Sequence, residues 1–99
     1  MQQRVIRDIS AREALAVVNE WLVSYAGDRF VAGAPCLDEP SRFWLVPILY
    51  VYPNQGALGS VGEITVNSLT GEMTDHPSVD EIKNRALVLY QARPAKFSV

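Results

Sequence analysis

The sequence predicts an α+β two-layer sandwich, in which an antiparallel meander sheet of three to four strands carries an N-terminal and a C-terminal helix on one face. Three observations lead there. Two S-x-x-E capping boxes, Ser10/Glu13 and Ser78/Glu81, each open a stretch of helical periodicity, one near each end of the chain. The segment between them is rich in β-branched and aromatic residues, alternates with period two, and is punctuated by Gly and Pro. With 99 residues there is enough apolar material for one hydrophobic core and too little for two. The chain therefore reads as one domain, residues 1–99, with 1–9 and 94–99 as loose termini.

The first helix is expected from Ala11 to Ala26. At 100° per residue, Ala11, Ala14, Leu15, Val17, Val18, Trp21, Leu22 and Tyr25 fall on one broad side. Arg12, Glu13, Asn19, Glu20 and Ser24 fall opposite, and Gly27 ends the helix. A short strand is expected at Arg29–Gly33, followed by a loop, "APCLDEPS". "FWLVPILYVYP", Phe43 to Pro53, reads as the longest strand, with a bend expected at Pro47 because proline cannot donate to a ladder. "PNQGALGS" reads as a hairpin loop. "VGEITVN" then sets Glu63, Thr65 and Asn67 against Ile64 and Val66, a strand with one wet face. Thr70-Gly71 turns the chain into a short strand at Glu72–Thr74, and the second helix is expected from Val79 to Arg93, ended by Pro94. Its apolar stripe is Val79, Ile82, Ala86, Leu89 and Tyr90.

The long strand is apolar on both faces. Four strands at about 4.8 Å span roughly 19 Å, and two helices about 10 Å wide cover that width on one side only. The other face then has no cover from this chain. One parity, Phe43, Leu45, Pro47, Leu49 and Val51, has no polar side-chain atom and suits the dry layer under the helices. The other, Trp44, Val46, Ile48, Tyr50 and Tyr52, mixes apolar bodies with hydrogen-bonding tips, as interface residues do. This second set is the expected protein interface, facing away from the helices and covered by a protein partner, most simply a second copy of the chain.

Composition narrows the function further. An apolar fraction of 48% with 20% charged residues is that of a folded globular protein. The net charge of −2, with no basic residue between Arg42 and Lys83, argues against nucleic acid or an anionic membrane as partner. The opening "MQQRVIRDIS" has no apolar signal core, no run is long enough to span a bilayer, and Cys36 is the single cysteine; together these point to the cytoplasm. A catalytic His76, in "TDHPS", would need a dedicated nucleophile or second acid/base beside it, and the stretch matches no such signature, so it reads as a polar turn residue. Cys36 has Asp38 and Glu39 beside it, which disfavour a thiolate. Glu72, Asp75 and His76 match no metal-ligand spacing. Gly56, Gly59 and Gly62 lead into a strand and not a helix N-terminus, so they do not make a phosphate loop. No catalytic residue, metal or cofactor is expected.

"ISAREALAVVNEWL", "FWLVPI", "VGEITVNSLTGEM" and the closing "DEIKNRALVLY" resemble, in that order, small PepSY-like and cystatin-like bacterial domains. The resemblance spans nearly the whole chain, and its most specific part is "GEITVNSLTGE". It implies a non-enzymatic interaction module, inhibitor- or immunity-like, without catalytic residues to transfer. The alternative is a small enzyme or ligand-binding protein with a pocket between helices and sheet.

Overall fold

A computed structural model of the protein describes residues 8–92. Both capping boxes form. Ser10 Oγ accepts from Glu13 N at 3.1 Å and Glu13 Oε1 accepts from Ser10 N at 2.7 Å, starting α1, Ala11–Tyr25. Ser78 and Glu81 repeat the exchange at 3.1 and 3.0 Å and start α2, Val79–Gln91. Each pair satisfies two backbone N–H groups that the first helical turn leaves without partners. The expected end at Arg93, the stop at Pro94 and the 94–99 tail lie outside the described residues. Ile9, expected in a loose terminus, is tied down: its N–H donates to Ser68 O at 2.6 Å and its carbonyl accepts from Trp44 Nε1 at 3.0 Å.

Between the helices run β1, Phe30–Ala32; β2, Cys36–Asp38; β3, Phe43–Tyr52; β4, Gly56–Asn67; and β5, Met73–Asp75. They form one antiparallel sheet of five strands, one more than expected, in the order β1-β3-β4-β5 with β2 also pairing β3. The extra strand is β2, which lies in the predicted loop "APCLDEPS". It pairs with Phe43, Trp44 and Leu45 of β3, while β1 pairs with Ile48, Leu49 and Tyr50.

The break between β1 and β2 falls opposite Pro47. The Pro47 carbonyl accepts from Gly33 N at 2.8 Å. The Pro47 nitrogen lies on that same side and faces the gap, where no ladder runs. Thus proline is accommodated in a central strand by interrupting its neighbour. β3 itself stays in register through Pro47↔Glu63, and its register shifts come later, between Ile48 and Leu49 and between Tyr50 and Val51.

Those shifts are bulges on β4, which begins at Gly56, inside the predicted loop; the turn is only Pro53–Gln55, closed by Gln55 N donating to Tyr52 O at 3.0 Å. Each bulge inserts one extra residue, Leu58 or Val61, and Val61 is fully buried while Leu58 packs against the core. Gly59 and Gly62 beside them have φ of 157° and 152°, a region side chains rarely adopt. A Cβ there would meet Leu89 or Pro77 at 3.0 Å, so the same glycines let α2 approach β4 closely.

The core lies between the helices and one face of the sheet. Ala14, Val18 and Leu22 of α1 and Ile82 and Ala86 of α2 pack with Val46, Ile48, Val61, Ile64 and Val66. This reverses the orientation expected for β3. Val46 and Ile48 have no exposed surface, and Trp44, Tyr50 and Tyr52 accompany them on the helix side. The reason is register. Trp44 pairs with Val66 and Val46 with Ile64, whereas Phe43, Leu45 and Pro47 pair with Asn67, Thr65 and Glu63. Cross-strand partners share a face, so the dry residues of β4 draw the parity with polar tips inward. Two of the tips find partners inside the fold: Trp44 Nε1 donates to Ile9 O, and the Tyr52 hydroxyl is hydrogen-bonded with the Tyr90 side chain.

Candidate functional site

The open face of the sheet is built on β3. Phe43, Leu45, Pro47, Leu49 and Val51 form an apolar row along the central strand, each half-buried, and both described helices lie on the opposite side. Val31 of β1 extends the row beside Leu49. Around it, register places Glu63, Thr65 and Asn67 of β4, Asp75 of β5 and Asp38 of β2 on the same face. The result is an apolar centre with a polar, acidic border.

The sheet edges are treated differently. Asn19 of α1, expected to face solvent, is half-buried, and its Oδ1 accepts from Ala32 N of β1 at 2.8 Å. Arg85 of α2, outside that helix's apolar stripe, donates from Nη1 to Val61 O of β4 at 3.2 Å. Each helix thus supplies one polar side chain to a strand edge that would otherwise offer an open backbone group to another chain. The edges are capped in part, and among the described residues no helix covers the face.

A second concave region lies on the helix side. A cleft of about 370 Å³ opens between the α1–β1 turn, the end of β3 and α2. Phe30, Tyr50, Tyr52 and Tyr90 supply its aromatic surface, with successive ring centroids 5.3, 6.0 and 5.2 Å apart. The Arg29 guanidinium lies 4.2 Å from the Tyr52 ring centroid, a cation–π contact. The Tyr52 hydroxyl is held above its ordinary pKa, first by its hydrogen bond with the Tyr90 side chain and then by desolvation; Arg29 pulls weakly the other way. Lys83 stands on the far lip.

The residues considered for catalysis do not converge. The His76 ring stacks 4.6 Å from that of Trp21, and its Nδ1 lies 2.8 Å from the Pro77 carbonyl oxygen. It joins α1 to the β5–α2 connection. Cys36 is exposed on β2, at the opposite border of the sheet from β5. Among the described residues no three His, Cys, Asp or Glu side chains are placed to hold a metal ion. No helix among them is long and apolar enough to cross a membrane.

Comparison with protein-family models, with curated proteins and with solved structures finds no match for the chain. The candidate sites stand on their geometry. Of the five residues expected at the interface, Val46 and Ile48 are core, Trp44 is anchored to Ile9, and Tyr50 and Tyr52 line the cleft. The row that does lie open was legible as its alternate. The missing signal was the alternation of Glu63, Thr65 and Asn67, which fixes the wet face of the sheet once pairing with β3 is known.

Proposed function

We propose that this protein is a non-enzymatic protein-interaction module that docks through its open sheet face, pairing with a second copy of itself. The observation that supports the reading is the row Phe43, Leu45, Pro47, Leu49 and Val51 on the central strand, each only partly buried on the face opposite the helices. A ten-residue strand is about 33 Å long, and β3, β4 and the β1/β2 flank are together about 14 Å wide, with β5 adding only three residues. Two such faces together remove on the order of 1,000 Å² from water, near the threshold for a specific interface. The bonds from Asn19 and Arg85 to the edges favour face packing over strand addition. A two-fold axis along β3 lays one apolar row on the other and carries Glu63 across the partner's β1 side, away from the partner's Glu63, which avoids like-charge contact. The role agrees with what a PepSY-like or cystatin-like resemblance implies, and the lone, exposed Cys36 suits a reducing cytoplasm.

Light scattering on the wild type and on Leu49→Glu tests the reading. A wild-type dimer and a folded monomeric Leu49→Glu are the expected results; a wild-type monomer at the highest soluble concentration overturns self-pairing. A second reading, a ligand-binding protein, draws on the cleft, which is concave and aromatic-lined as small-molecule sites are. The two readings use opposite faces of the sheet and are compatible.

A further inference from the structure

We infer that the cleft between the α1–β1 turn, the end of β3 and α2 is a binding site for a small organic monoanion with a flat apolar body, an aromatic carboxylate in chemical class. Size is the first argument. A volume of about 370 Å³ lies within the range of small-molecule sites, roughly 300–1,000 Å³, and near its lower end. That suits a body of one or two fused rings.

The walls specify the body of the ligand. Phe30 and Tyr50 are buried and stacked on each other, so they form a rigid floor whose shape is set before anything binds. Ala86 and Leu87 of α2 form the opposite wall, and Leu87 is 53% exposed, a large apolar side chain that its own chain leaves partly in water. A flat ring inserted between them removes apolar surface on both sides and stacks on the floor in the offset geometry that aromatic pairs prefer.

Charge specifies the head group. Arg29 and Lys83 both line the cleft, and among the described residues neither forms an ion pair. Arg29 is held in place by the Tyr52 ring beneath it, which orients its planar fork without using its N–H donors on a carboxylate. Asp28 also lines the cleft, so the three ionic groups leave one net positive charge. A carboxylate neutralises that charge. A cation would meet Arg29 and Lys83, and a di- or trianion such as a nucleotide phosphate would carry excess charge toward Asp28 and the carbonyl end of α1, both of which repel it.

The site lies on the helix side of the sheet, so its test is independent of self-pairing. The probes are 2-naphthoate, the neutral 2-naphthalenemethanol and the cationic 2-naphthylmethylammonium, each titrated into the full chain while backbone amide signals are followed by NMR. Naphthoate is expected to give saturable shifts centred on Gly27, Phe30, Tyr52 and Leu87, with affinity at least tenfold above that of the alcohol and further above that of the ammonium. Lys83→Glu, an exposed substitution, is expected to abolish that preference with the amide spectrum otherwise intact, and Arg29→Gln to weaken it. Any of three results overturns the inference: no saturable naphthoate binding, equal affinity for the alcohol, or shifts centred on Leu45 and Leu49 of the open face.

Discussion

On the helix side of β3, Val46 and Ile48 are sealed from water, while on the other side Leu45 and Leu49, no less apolar, keep part of their surface exposed. The two rows alternate along one strand and share one backbone, and hydrophobicity alone does not separate them. The neighbours do. On one side stand Ile64, Val66 and the two helices; on the other stand Thr65, Glu63 and water. An apolar row left bare on a central strand is costly surface, because strands that face solvent are normally polar there. On the proposed reading, a second copy covers it.

The largest expected effect separates the rows directly. Ile48→Ala removes buried methyl groups and leaves a cavity in the core, at a cost of about 2–5 kcal/mol. Leu49→Ala, half-exposed, should cost less than half as much when both are measured by urea denaturation at low protein concentration. Equal losses would mean that the open face is already packed within the monomer. Next comes the point where the open face is tight. A Cβ on Gly33 would lie 2.9 Å from Pro47 Cγ and 3.3 Å from Leu49 Cδ1, so Gly33→Ala should cost about 1–3 kcal/mol, as overpacking does. Adding Pro47→Ala should restore part of that loss; no recovery would show that the contact with the proline ring is not what excludes a side chain at Gly33.

The smallest effect belongs to the helix side and to pH. Because the Tyr52 pKa is raised in the fold, the hydrogen bond with Tyr90 contributes stability that is fully present below the ordinary tyrosine pKa and is lost as pH rises through the higher folded value. In an NMR titration of the tyrosine rings, Tyr52 should ionise after an unperturbed tyrosine does, and Tyr90→Phe should bring its midpoint down. An unchanged midpoint in Tyr90→Phe would remove the bond as the cause.

Much of this architecture was legible from local chemistry. Ser10/Glu13 and Ser78/Glu81 marked both helix starts because a capping box is a short-range device. The wet face of β4 was readable from Glu63, Thr65 and Asn67, and with it the presence of an open sheet face. What could not be read was the pairing of β3 with β4, because Gly56, Gly59 and Gly62 look like a loop and instead sit in a strand with two bulges. A slip of one residue exchanges the faces of a strand, and the polar tips of Trp44, Tyr50 and Tyr52 were assigned to the wrong side for that reason. β2 was hidden because Pro35 before it and Glu39-Pro40 after it mask three residues held only by β3. The cleft brings Arg29 and Lys83 onto one lining and sets Tyr52 against Tyr90, neighbours that only tertiary structure creates.

The claim that the open face pairs with itself is tested most directly by isotope-filtered NMR on a mixed sample, half carrying labelled leucine and valine methyl groups and half unlabelled. The account predicts intermolecular contacts from the methyls of Leu45, Leu49 and Val51 to Phe43, Leu45 and Leu49 of the other copy, all lost in Leu49→Glu. Intermolecular contacts confined to the exposed helix residues Val23, Leu87 and Val88, or none at all, would contradict it.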